Sequence, residues 1–129
     1  MRMANKKILV LDDSKTIRSS VKYTLEKEGS EFLLAEDGKE GLEVLEENSS
    51  MSDRPKMIIS DINMPRMGGI EFIEEVKSNS KFKFIPVLVL TTESQDKMKA
   101  KGKKAGAAGW LVKPFKPQQL IDVVEKFVR

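Results

Sequence analysis

Cysteine and histidine are both missing from the 129 residues. Without thiols the chain can form no disulfide, offer no thiolate nucleophile and build no cysteine-ligated zinc site. Without imidazole there is no Ser-His pair and no histidine base, and the chain cannot be its own histidine phosphodonor. No apolar run approaches the span of a bilayer. The opening MRMANKK passes straight into a strand-like run with no small-residue cleavage site, so a cytoplasmic location is expected. Whatever chemistry the chain performs must be run by carboxylates, hydroxyls, lysines and a hard cation.

What is present describes an ordinary globular unit. Apolar residues make up 40% and charged residues 33% of the sequence, which fits a soluble, folded chain. The length suits one domain over residues 1–129, with a single sizeable core. The net charge of +3 is unevenly placed, because DKMKAKGKK carries Lys97, Lys99, Lys101, Lys103 and Lys104 against one Asp. A solvated helix face accounts for this run, and a docking patch for an acidic partner is the alternative. Nucleic acid is not expected as a partner, since the run has no interleaved aromatics or arginines and no groove-reading motif accompanies it.

Five short apolar runs alternate with longer amphipathic segments. The runs are Ile8–Leu11, Phe32–Ala35, Met57–Ile59, Val87–Leu90 and Trp110–Val112. Their continuous hydrophobicity suits strands covered on both faces, as in a parallel sheet. Ile17, Val21 and Leu25 form one helical stripe, with Ser14 as N-cap and Gly29 as the stop. Asp37 and Glu40 have capping-box spacing ahead of Leu42 and Leu45. Phe72, Ile73 and Val76 mark a third helix, and Pro117 opens a last one carrying Leu120, Val124 and Phe127. The fourth helix, around Met98, has a poor stripe that continues through Gly102 and Ala105. It reads as the least anchored element, or as a short surface helix with a casual glycine. The pattern is (βα)5, which implies an α/β doubly wound parallel sheet in three layers.

In such sheets the site lies beyond the carboxyl ends of the strands. Asp12 and Asp13 follow the first run, Asp61 the third, Thr91 and Thr92 the fourth, and Lys113 the fifth. One acid at a strand end is commonly a helix cap. Three acids, two hydroxyls and a lysine converging there point to a site. Carboxylates sharing a crevice repel one another unless a cation joins them. An all-oxygen set without His or Cys selects Mg²⁺ or a similar hard ion. A lysine and a threonine hydroxyl beside it can hold phosphoryl oxygens. Asp61 ends a central strand and precedes a loop that Asn63, Pro65, Gly68 and Gly69 hold open. It is therefore the candidate nucleophile for an aspartyl phosphate.

The ordered set ILVLDDS, MIISDINMPRMGG, VLVLTTE and GWLVKPF resembles the receiver domain of bacterial two-component response regulators, single-domain chemotaxis subgroup, over essentially the whole chain. The resemblance implies a flavodoxin-like sheet of order 2-1-3-4-5 and no output domain. It implies Asp61 as phosphoacceptor for a separate histidine kinase, with a monomeric switch as the product rather than an enzyme with a substrate of its own. Asp13, Asp61 and the Asn63 carbonyl would ligate Mg²⁺, with Asp12 acting mainly through water. Lys113, followed by a cis bond to Pro114, would bind the phosphoryl group, and Thr92 with Asn63 would belong to the cofactor-binding set. Thr91 and the aromatic at Trp110 would be the switch pair, with Trp110 standing where relatives more often have Tyr or Phe. Asn63 and Glu93 occupy positions that influence hydrolysis of the acyl phosphate. The face of the fourth helix, fifth strand and fifth helix would then change its preference for a target such as a flagellar motor switch component. A phosphate sink and a relay intermediate use the same crevice. A small Mg²⁺-dependent phosphatase is the alternative of another class, but such enzymes place a second Asp where Asn63 stands. MPRMGG supplies no glycine fingerprint for a dinucleotide or P-loop site.

Overall fold

The computed structural model describes residues 6–128. Five strands, β1 (Lys7–Leu11), β2 (Glu31–Ala35), β3 (Met57–Ser60), β4 (Val87–Thr91) and β5 (Gly109–Val112), pair in parallel in the order β2-β1-β3-β4-β5. The intervening helices are α1 (Lys15–Glu26), α2 (Gly38–Glu47), α3 (Gly69–Lys77), α4 (Asp96–Ala105) and α5 (Pro117–Val128). The expected three-layer α/β architecture is the one observed. Among the described residues no helix is long and apolar enough to cross a membrane.

Alternation along each central strand splits the core in two. Leu9, Leu11, Ile58, Val87 and Val89 face Phe72, Ile73 and Val76 of α3 and Leu45 of α2. Ile8, Val10, Ile59, Leu88 and Leu90 face Val21 and Leu25 of α1 and Leu120 and Val124 of α5. Each such side chain, fully buried, contributes about 1.5–3 kcal/mol. Two-sided burial holds for β1, β3 and β4. The edge strands differ: β2 keeps only Ala35 buried and leaves Leu34 exposed, and β5 is half-buried throughout. An edge strand has a neighbour on one side only, so a continuous apolar run there is not proof of cover.

The helix starts follow their capping residues. Ser14 Oγ accepts the Ile17 amide at 3.2 Å, and Gly29 takes φ 95° in the turn after α1. Asp37 accepts the Glu40 amide at 2.9 Å, while the Glu40 carboxylate returns to the amide of Glu36, one residue ahead of the usual capping-box partner. Leu45 is buried but Leu42 only partly, and in α5 Val128 is buried where Phe127 is half-covered. The long connection 48–56 leads into the amino end of β3, away from the strand tips that carry the acids.

The glycine in α4 is not casual. A Cβ on Gly102 would stand 2.6 Å from Cζ3 of Trp110, so the missing side chain is the seat of the indole. Gly102→Ala tests this. The gain in helix propensity of about 1 kcal/mol must compete with displacing a bulky ring that its Nε1–H bond to the Glu93 carbonyl holds in place. The expected result is a net destabilisation of about 1 kcal/mol in urea, with an altered Trp110 emission. A stabilised variant with unchanged emission would contradict the packing argument.

Candidate functional site

Three strand tips deliver the polar groups. Asp12, next after β1, is buried: its Oδ1 accepts the Ser14 amide at 2.9 Å and its Oδ2 accepts Lys113 Nζ at 2.7 Å. Asp61, next after β3, is 9% exposed. Its Oδ1 accepts the Ile62 amide at 2.6 Å, and its Oδ2 accepts Lys113 Nζ at 3.3 Å. Asp13 is exposed at the mouth. One carboxylate oxygen from each of Asp12, Asp13 and Asp61 lies within 4.8 Å of the others. The predicted acid cluster and its lysine are therefore assembled.

The electrostatics are unfavourable as they stand. At a separation of 4.8 Å two carboxylates repel by about 3 kcal/mol with an effective dielectric constant of roughly 20. Against three formal negative charges, Lys113 is the one ammonium in hydrogen-bond contact among the described residues. Burial pushes the Asp12 carboxyl above the usual range, with Asp61 adding to the effect, and the contacts to Lys113 and the Ser14 amide only partly offset it. Burial alone would lower the Lys113 ammonium, but its two carboxylate partners outweigh that and hold it above the ordinary lysine value. An unbalanced, oxygen-only cluster with an exposed member fits a hard divalent cation that keeps some of its waters.

The other predicted residues sit around this cluster. Thr91, fully buried at the end of β4, accepts the Glu93 amide at 3.3 Å and makes no hydrogen bond to the acids. Thr92 and Asn63 are exposed on their loops. The Lys113–Pro114 bond is cis, as the resemblance implied. Trp110 is half-buried outside the crevice, and its Nε1–H donates to the Glu93 carbonyl at 3.0 Å, tying β5 to the loop that follows Thr91.

One reading needs correcting. The glycines after Asp61 do not hold the loop open; they let it close. The Gly69 amide donates to the Ile62 carbonyl at 2.8 Å, and a Cβ on Gly69 would lie 2.1 Å from the Asp61 carbonyl oxygen. The first turn of α3 is thereby laid against the peptide of Asp61.

Two arginines went unnoticed in the sequence. Arg18 of α1 donates through Nη1 to the Asp12 carbonyl. Arg66 grips Asp37 through Nε at 2.8 Å and Nη2 at 3.2 Å. The guanidinium of Arg66 holds the Asp37 carboxyl below the usual carboxylate range although Asp37 is buried. Helical spacing from Ser14 puts Arg18 one turn into α1 and was available as a signal; nothing local announces Arg66.

Comparison with known proteins gives the chain a family. The family described as the response regulator receiver domain matches residues 8–125. The chain is 42% identical over 120 residues to the chemotaxis protein CheY1 of Helicobacter pylori, covering 92% of this chain and 94% of that protein. The solved structure of the chemotaxis response regulator CheY4 of Vibrio cholerae superposes with a TM-score of 0.85 at 43% identity, covering 95% and 98% of the two chains. The Mn²⁺-bound response regulator Rcp1 superposes with a TM-score of 0.78 at 30% identity, covering 94% and 90%.

Proposed function

The chain belongs to the response regulator receiver domain family, and from that premise we propose that Asp61 is its phosphoacceptor, served by Lys113 and by a Mg²⁺ ion on Asp12, Asp13 and Asp61. As a member of that family it is a phosphorylation-dependent signalling switch. The observation that carries the residue assignment is the convergence of three carboxylates at the tips of β1 and β3, two of them, Asp12 and Asp61, held by Lys113 from the tip of β5.

Each group has a task that its position permits. An oxygen of the Asp61 carboxylate attacks phosphorus, and the bond from phosphorus to the imidazole nitrogen of a kinase phosphohistidine breaks, its electron pair remaining on that nitrogen. Lys113 is already within reach of Asp61 Oδ2 and can neutralise a phosphoryl oxygen placed there. Asp12 holds Lys113 in place at 2.7 Å, and the Ser14 amide orients Asp12. When bound, the divalent ion supplies charge neutralisation for the phosphoryl oxygens. Its candidate ligands are the three aspartates and the Asn63 carbonyl. The metal in Rcp1 supports a divalent site of this kind.

Thr91 is the hydroxyl nearest in chain to that chemistry on β4, and Thr92 and Asn63 border the open side. Phosphorylation draws Thr91 and Lys113 toward the new charge, and the Glu93–Trp110 hydrogen bond passes the shift to β5 and α4. On that face a cavity of about 230 Å³ is lined by Lys99, Lys103, Ala107, Ala108, Gly109 and Trp110, a basic rim around a small apolar floor. It suits an acidic segment of a downstream protein. Two of the similar proteins are named as chemotaxis proteins, and on that reading the target is a flagellar motor switch component and the donor a histidine kinase.

Acetyl phosphate tests the assignment without the kinase. With Mg²⁺ the chain is expected to take up one phosphoryl group, seen as a single mass increment, and to lose that uptake when the ion is chelated. Equal labelling in the presence of chelator would refute the metal-assisted reading.

A further inference from the structure

We propose that the Arg66–Asp37 ion pair is a positioning device that fastens the phosphoacceptor loop, residues 62–69, to the amino end of α2, so that Asp61 and the Asn63 carbonyl keep the geometry that metal uptake and phosphoryl transfer require. The inference rests on the assignment of Asp61 as phosphoacceptor.

The loop contains a turn that its own residues do not favour. Arg66 has φ 62°, the one positive φ at a non-glycine position among the described residues. The Met67 amide donates to the Pro65 carbonyl at 2.6 Å across it. A hydrogen bond spanning one residue of positive φ is the rare, strained form of the γ-turn. Such a conformation persists where surrounding contacts impose it.

Those contacts come from α2. Asp37 is immobilised twice over: its Oδ1 caps α2 through the Glu40 amide, and its side chain is 4% exposed. The planar fork of Arg66 meets both of its oxygens, which fixes direction as well as distance. Beside this pair the Gly38 amide donates to the Met67 carbonyl at 3.0 Å. The Met67 side chain fills the space where Gly38 has no Cβ: one built there would lie 2.6 Å from Met67 Cγ. The far end of the loop closes through Gly69 onto the peptide of Asp61. A shift at Arg66 therefore has a short covalent path to the reacting carboxylate.

A purely stabilising role fits the same pair poorly. The Arg66 side chain is 58% exposed, so its removal opens no cavity, and solvent screens the pair on that side even though Asp37 is buried. Geometry is what it supplies.

Three variants separate positioning from capping and from folding. Arg66→Asn accepts the positive φ but deletes the fork. Asp37→Ser keeps a cap acceptor for Glu40 and releases Arg66. Arg66→Lys keeps the charge alone. In metal-free protein, amide exchange at Gly38 and Met67 is expected to accelerate about tenfold in the first two variants, with the core amides unchanged. Mg²⁺ affinity and the initial rate of labelling by acetyl phosphate should each fall about tenfold in both, as for other groups that orient a metal site from outside it. The double variant should be no worse than either single one, and Arg66→Lys should recover only part of the loss.

Unchanged exchange, affinity and rate in Arg66→Asn, with wild type labelling normally, would overturn the proposal alone. Losses that add in the double variant would also overturn it, because the two residues would then act separately. Wild type that takes up neither Mg²⁺ nor phosphoryl group would overturn the phosphoacceptor assignment and this role together.

Discussion

Asp61→Asn is expected to abolish labelling by acetyl phosphate, by at least about a hundredfold in rate, while leaving the fold as stable as wild type to within about 1 kcal/mol. The amide has nearly the same shape, so its oxygen can still accept the Ile62 amide that Asp61 Oδ1 now takes at 2.6 Å. What it lacks is the anionic oxygen that forms the bond to phosphorus. Lys113 keeps its shorter contact to Asp12, at 2.7 Å against 3.3 Å to Asp61. Removing one of the crowded negative charges also relieves part of the burden on Asp12, whose carboxyl Asp61 helps to hold high. Loss of labelling with retained stability, followed by mass and by thermal unfolding, isolates the nucleophile from the scaffold. An Asn variant that still labels would place the acceptor elsewhere.

Gly69→Ala should produce the largest effect on stability. The added methyl would sit 2.1 Å from the Asp61 carbonyl oxygen, 2.9 Å from Ile62 Cα and 3.0 Å from the Asp61 carbonyl carbon. All three are backbone atoms between the buried strand β3 and the buried residue Ile62, so no flexible side chain can swing away. Either α3 retreats and gives up part of the packing of Phe72 and Ile73, or the peptide of Asp61 rotates. The expected cost is about 3 kcal/mol, which for a domain of this size lowers the thermal midpoint by roughly 10 °C. Labelling of the surviving folded protein should fall as well, because the peptide that moves is the one carrying the nucleophile. Gly68→Ala is the control: its Cβ would meet only the Ile62 carbonyl, at 3.0 Å, and a much smaller loss is expected.

These two positions show what could be read from the chain itself. The acids were legible because a parallel sheet puts its strand tips on one side, and Asp12, Asp13, Asp61 and Lys113 each follow an apolar run. The Ser14 and Asp37 caps were legible because capping is local, reaching only as far as Ile17 and Glu40. Contacts between distant segments left no such trace. In PRMGG the glycines invite the turn, yet the positive φ falls on Arg66, and the glycines serve close approach instead. That assignment depends on Asp37, 29 residues away, which the sequence could show only as a cap. Gly102 looked like a weakness of α4 because its reason, the Trp110 indole, lies on another element. Leu34 looked buried because a run of apolar residues does not say which strand is at the edge.

The account depends most heavily on the claim that Asp12, Asp13 and Asp61 form one divalent-cation site. Titration calorimetry of the folded domain with magnesium measures it directly. One ion per chain is expected for wild type, with binding lost when Asp13, the exposed member of the cluster, becomes Asn. No uptake by folded wild-type protein, or uptake that Asp13→Asn leaves intact, would contradict the site as assembled.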